Sequence, residues 1–137
     1  MSNAFNKFNA FVADVGNKVH NLGSDSLKVY LTNTAPVATN TVYNTPADLS
    51  TSGGYTAGGA VIGSTAYSQT SGTASLTGSD VVFTATTGFG PFQYAVIYNN
   101  TAASKQLIGW FDYGSAVTLG ASETFTVHWG ATILTLA

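Results

Sequence analysis

The sequence predicts an all-β protein, a jelly-roll-like antiparallel β-sandwich with one N-terminal amphipathic helix. Three observations carry this expectation. From residue 24 onward, apolar side chains alternate with polar ones in short runs. Gly, Asn, Ser and Pro separate those runs at short intervals, as turns do. Helical spacing is confined to residues 1–23, so the strands have no crossover helices and a parallel α/β sheet is excluded. At 137 residues and 14.1 kDa the chain makes one compact domain, divided into an N-terminal helix (1–23) and a β-sandwich (24–137).

The helix is expected from Phe5, Phe8, Val12, Val15, Val19 and Leu22, which recur every three or four residues as one apolar stripe. Ser2 or Asn3 supplies an N-cap, and Gly23 the left-handed residue that ends many helices. Lys18 and His20 then suit the negative end of the helix dipole. Fully buried, such a stripe contributes about 1.5–3 kcal/mol per side chain before chain entropy is subtracted, so something must cover it. The chain's own sandwich is the expected cover, with a neighbouring subunit as the alternative.

"SLKVYLTN" comes next as a half-buried strand, with Leu27, Val29 and Leu31 on one face and Lys28 and Tyr30 on the other. The stretch from Thr34 to Gly59 is mostly loop. "AVIGSTAYSQ" and "TASLT" read as strands, and Tyr55, Val61, Ile62 and Tyr67 suggest that the Gly/Ser/Thr-rich region from 50 to 78 is partly packed. "VVFTAT" and "FQYAVIYN" follow, the latter placing Phe92, Tyr94, Val96 and Tyr98 on one face. "QLIGWFDYG" is a strand ending at Gly114. Alternation there puts Phe111 and Tyr113 on one side and Trp110 and Asp112 on the other. "SAVTL", "TFTVHW" and "ATILTL" complete the set, with Phe125, Val127 and Trp129 on one face and His128 towards solvent with Thr124 and Thr126.

Charged residues are only 7% of the chain, against about 25% in an ordinary soluble domain. Thr, Ser, Asn and Gly take their place, which suits a member of a large assembly or a hydroxyl-rich module. Four lysines, no arginine and a net charge of −2 argue against nucleic acid as a partner. No cysteine is present, so disulfides and thiolate metal sites are excluded. No apolar run approaches the roughly 20 residues of a membrane-spanning helix, and the N-terminus does not read as a secretory signal. The expectation is a soluble protein made in the cytoplasm.

Catalytic chemistry needs convergent polar groups, and the stock is thin. His20 is expected at the exposed end of the helix and His128 on a solvent face, and neither belongs to a metal-binding motif such as H-E-x-x-H. A serine triad built on His128 and Asp112 lacks a G-x-S-x-G elbow. "GGYTAGGAVIGST" lacks the lysine of a phosphate loop. Asp112 and Glu123 are the close acidic pair of the C-terminal half, but strand-end acids usually solvate or cap turns. Asn99-Asn100-Thr101 has the form of a glycosylation acceptor without a secretory signal to go with it. The sequence therefore assigns no catalytic, cofactor-binding or metal-binding residue. Its aromatics are the candidate contact residues: Trp110, Tyr113, Tyr98, Trp129, Phe5 and Phe8.

"DSLKVYLTNTAPVATNTVY", "GYTAGGAVI", "GPFQYAVIYNNTAAS" and "LIGWFDYGSAVTLGASETFTV", with the opening "FNKFNAFVADVGNKVHNLG", together resemble small virion structural proteins of tailed bacteriophages. The resemblance covers most of the chain, leaving the loop from Asn44 to Gly53 unmatched. It implies a non-enzymatic protein, either a capsid decoration (cement) protein or a tail-associated one, and brings no catalytic residues. The expectation that follows is a homo-oligomer, dimer or trimer, bound to the major capsid protein on the outer surface of the head. A tail-associated receptor- or glycan-binding module using Trp110, Trp129 and exposed tyrosines is the alternative. A glycan hydrolase built on Asp112 is a third and weaker reading.

Overall fold

The structure, a computed structural model, describes residues 4–137, and it is mostly antiparallel β. Ten strands form: β1 (Asn6–Lys7), β2 (Leu27–Thr32), β3 (Ala60–Val61), β4 (Ala66–Thr70), β5 (Thr73–Thr77), β6 (Val81–Thr84), β7 (Gly88–Asn99), β8 (Leu107–Gly120), β9 (Thr124–Val127) and β10 (Leu134–Leu136). One α-helix, α1 (Asn9–Gly16), lies between β1 and β2. The all-β class with an N-terminal helix is as the alternation and turn signals predict.

One layer is a five-stranded sheet ordered β1-β8-β7-β2-β3. The other is shared by two ladders, β10-β5-β4 and β6-β9. A single apolar cluster joins the layers. Leu27, Val29 and Leu31 of β2 and Ala95 and Ile97 of β7 meet Leu76, Phe83, Val127 and Leu134 from the opposite ladders. The alternation read in β2 is thus correct for its inner face. Its other face is not open to solvent, because Tyr30 is also buried, in a second cluster with Phe8, Val96, Tyr98 and Leu107. β2 lies between β7 and β3 in the sheet, and the 34–47 segment and the N-terminal arm cover that outer face.

The N-terminal helix expected over 1–23 is much shorter than its apolar spacing suggested. The proposed caps at Ser2 and Asn3 fall outside the described residues. Residues 6 and 7 pair as a strand with Trp110 and Gly109, and the helix starts only at Asn9. A strand sends Phe5 and Phe8 to opposite faces of the sheet. Phe5 packs edge-on against Phe111, whose ring lies in the inner core, and Phe8 against Trp110 on the outer face. Within the helix, Phe11 is fully buried and Val15 packs against the core while Val12 is 57% exposed, so the predicted stripe fails at Val12. The helix ends at Gly16, and Lys18 adopts φ 65°, a left-handed conformation that breaks it. Lys18 and His20 therefore lie beyond the helix rather than in its last turn. The cover is the chain's own sandwich: Phe11 and Leu22 are part of the inner core, with Phe5 and Val15 packed against it.

β7 and β8 form the long central hairpin, and their pairing contains register shifts. Phe92 is opposite Val117, whereas Tyr94 is opposite Asp112, so β8 carries a bulge over residues 113–116, all of them exposed. The strand predicted to stop at Gly114 instead continues through this bulge to Gly120. The irregular register also undoes the single face read in β7. Phe92 joins the inner core, while Val96 and Tyr98 join the outer cluster. At the far end of the other layer, β4 and β5 are joined by Ser71 and Gly72, both at positive φ, in a tight exposed hairpin.

Candidate functional site

The 43–58 loop carries the most elaborate polar arrangement among the described residues, linking the outer aromatic cluster to Tyr55 in the inner core. Asp48, 9% exposed, sits under the loop that follows the short 3₁₀ turn Thr45–Ala47. Its Oδ1 accepts the Tyr55 hydroxyl at 2.5 Å, and its Oδ2 accepts the Tyr43 hydroxyl at 2.6 Å and the Gly58 backbone N–H at 2.5 Å. Tyr55 passes the connection on, because its hydroxyl also accepts the Leu31 N–H of β2 at 3.0 Å. Tyr98 donates to the Gly58 carbonyl at 2.7 Å and stacks on Tyr43 with ring centroids 4.7 Å apart. Tyr30 meets both Tyr43 and Tyr98 edge-on.

Burial is the largest cause holding these phenols in their neutral form, followed by contact with the Asp48 carboxylate. Tyr98 is raised to about 12, and Tyr30, Tyr43 and Tyr55 are raised further. Neutral phenols donating to a carboxylate make a clasp that pins residues 43–58 onto the sheet. Glycine is essential to the fit at one point. A Cβ on Gly59 would come within 1.9 Å of the Val29 carbonyl oxygen, and its φ of 76° disfavours any other residue.

Beside the clasp, between the 33–47 segment and the sheet, opens a cleft of about 410 Å³. Phe8, Tyr30 and Leu107 are its apolar floor, and Thr34, Asn40 and Asn44 contribute polar groups to its walls. Its lining holds no charged residue. Val37 and Val42, 56% and 40% exposed, stand on its wall. A second cleft is lined by Phe5, Asn6, Lys7 and Trp110 with Leu134 and Thr135 of β10.

The candidate contact residues divide by burial. Tyr113 is exposed, with its ring edge on Phe125. Trp110 is half-buried beneath Phe8 and lines the second cleft, and Phe5 is half-buried beside it. Tyr98, Trp129 and Phe8 are buried in the chain's own cores, so these three do not present a contact surface. Trp129 additionally donates its Nε1–H to the Ser79 carbonyl at 2.8 Å. Aromatic alternation identified strand faces but could not reveal that both faces of the large sheet are covered.

The acids occupy local structural positions. Asp112 Oδ1 accepts the Gly114 N–H at 2.7 Å and the Gln93 side-chain amide at 3.0 Å, and Glu123 Oε1 accepts the Gly120 N–H at 2.5 Å. Each of these closes its own turn or bulge, as strand-end acids usually do. His128 is exposed as expected, and its Nδ1 lies 2.7 Å from Asp80 Oδ2. That bond holds the Asp80 carboxyl below its ordinary value, helped by the Trp129 N–H. His20 is the exception to the sequence reading. It is 7% exposed, its Nδ1 is 3.0 Å from Asn99 Nδ2, and burial lowers its pKa. Asn99 itself is fully buried, so its glycosylation pattern is not an accessible acceptor. Among the described residues, no group of three His, Asp or Glu side chains is placed to hold a metal ion, and no helix is long and apolar enough to cross a membrane.

Sequence reasoning missed the clasp, because nothing marks Asp48 as buried and residues 30, 43, 48, 55 and 98 become neighbours only through the sheet and its covering loop. No family model matches the chain, and neither a curated protein nor a solved structure shows significant similarity to it.

Proposed function

We propose that this chain is a non-enzymatic virion structural protein of a tailed bacteriophage, most simply a decoration (cement) protein. In this reading it binds the major capsid protein as a homo-oligomer on the outer surface of the head. The sequence resemblance motivates the reading, and the low charge agrees with it. The observation that carries it is the character of the exposed surface. Val37 and Val42 stand beside an uncharged cleft with an apolar floor, and Val61, Val82 and Tyr113 are also exposed. Apolar side chains set among hydroxyls and amides suit burial against another protein, where many weak contacts combine through multivalency. The test is rebinding: purified protein added to capsids lacking it should attach and raise their melting temperature. Failure to attach would exclude the decoration role.

A tail-associated glycan-binding module is the second reading, favoured by Trp110, which lines a cleft together with Asn6, Lys7 and Thr135. Rings and amides in one cleft suit a saccharide. A glycan array read by tryptophan fluorescence distinguishes the two. Specific saccharide binding lost in Trp110→Ala supports the tail reading, and a blank array removes it.

A further inference from the structure

His20 lies where the chain leaves α1 and approaches β2, with the Phe11 ring 5.4 Å away. Its surroundings determine where its proton sits. Asn99 Oδ1 accepts the backbone N–H groups of Thr101 at 2.9 Å and Ala102 at 3.1 Å. Those two bonds fix the orientation of the amide, so Nδ2 is the end that faces Asp25 Oδ2 at 2.6 Å and His20 Nδ1 at 3.0 Å. An amide nitrogen only donates. His20 Nδ1 is therefore an acceptor without a proton, and the neutral ring carries its hydrogen on Nε2, a buried atom with no hydrogen-bond partner. A second proton can enter only at Nδ1, where it would meet the Asn99 N–H directly.

Other charges surround the ring. Asp14 from α1 and Asp25 from the turn before β2 both favour a protonated ring. Lys18 lines the same surface pocket and opposes it, Tyr67 of β4 also lines that pocket, and β7 offers the neutral Asn99. Burial outweighs the two acids.

We propose that His20 is an acid-operated latch, whose protonation breaks the Nδ1–Asn99 bond and releases residues 17–26 from the end of β7. Asn99 is the hub of that junction. It holds Asp25, which accepts the Asn21 N–H at 2.8 Å, and it closes the turn after β7. The Ser26 N–H bonds to Thr101 Oγ1, and the Asn100 N–H to the Ser26 carbonyl, directly alongside. The β2–β7 ladder begins at this junction, with Leu27 opposite Asn99, so opening frays that first pair and leaves the pairing from Lys28 to Thr32 in place.

The direction follows from linkage. A released ring takes up its proton near the ordinary value of 6.5, whereas the latched ring does so at a lower pH. The latch is therefore at full strength above 6.5 and weakens as pH falls through that value, with the open population rising by up to roughly tenfold per pH unit.

Two measurements on the full chain test this. Nitrogen chemical shifts of the His20 ring at about pH 8 should show an unprotonated Nδ1 and a protonated Nε2. Amide-exchange protection factors of Asn21, Asn100, Thr101 and Ala102 should fall on acidification from about pH 7.5 to 5, while those of Val29 and Ile97 hold. In His20→Gln, which cannot titrate, the selective fall should disappear. A protonated Nδ1 at pH 8, or an equal fall in His20→Gln, overturns the proposal. Should that variant fail to fold, the wild-type ring decides alone: titration at or above 6.5 with no change in the Asn99 side-chain amide signals overturns it.

Discussion

At the scale of single residues, the Tyr55 hydroxyl has the most to lose. It bonds a buried carboxylate on one side and a buried β2 amide on the other. Tyr55→Phe strands both partners, each at about 1–3 kcal/mol, so a loss of at least about 2 kcal/mol in urea denaturation is expected. Tyr43→Phe removes only one bond to Asp48, and Tyr43 is half-exposed, so water can replace it and a smaller loss is expected. Equal losses in the two variants would show that the clasp does not distribute its load in this way. The same phenols set the alkaline limit of the fold. Tyr98 is raised to about 12 and its neighbours also upward, while unfolded tyrosine ionises near 10. The unfolded chain therefore releases protons first, and stability should be intact below pH 10 and decline from there towards pH 12. Ionisation of Tyr30, Tyr43, Tyr55 and Tyr98, followed residue by residue by NMR, should accompany loss of structure over that window rather than precede it.

At the scale of elements, β1 decides how the N-terminal segment docks. It reaches the sheet only because Gly109 has no side chain: a Cβ there would lie 2.2 Å from Phe5 Cζ and 2.6 Å from the Asn6 carbonyl oxygen. Gly109→Ala is expected to displace β1 and expose Phe5, lowering the melting temperature and speeding proteolysis within the first residues. Retention of wild-type resistance would mean that the arm has another seat. This element also marks the limit of sequence reading. Phe5, Phe8, Val12 and Val15 fit a helical period, yet the strand places Phe5 and Phe8 on opposite faces, each against an aromatic ring of β8. Tertiary burial outweighed local spacing there, as it commonly does in short segments. β2 and β9 were legible because one face of each is a clean apolar row. Tyr30 was misjudged as solvent-facing for the opposite reason: its cover, Tyr43, comes from a loop without any period. The β8 bulge was equally unreadable, since Gly114 signals a bend without saying whether pairing resumes beyond it.

At the scale of the whole molecule, the two-layer sandwich and its N-terminal segment share one inner core, and the proposed decoration role places the contact on the outer surface. If the valine-edged cleft is the face that meets the capsid, charge placed there should abolish attachment without harming the fold. Val37→Asp and Val42→Asp alter exposed side chains, so melting of the free protein should change by less than about 0.5 kcal/mol. Capsid rebinding should weaken by tenfold or more, measured by co-sedimentation. Unchanged rebinding would move the contact to another face, with Val12, Val61, Val82 and Tyr113 as the remaining large exposed apolar positions among the described residues. The assembly role is proposed from composition and resemblance. The sequence did not reveal the cleft, whose floor comes from β2, β8 and the N-terminal arm and whose wall comes from the 33–47 segment.

The β4–β5 hairpin has a use of its own. Its tip, Ser71-Gly72, is exposed and tied to the rest only through its own two strands. The core lies at the other end of those strands, with Leu76, so chain inserted at the tip leaves the buried contacts untouched. On a particle carrying many copies, each tip would become a regularly spaced attachment point. The tip of this hairpin is thereby a position for displaying a foreign peptide.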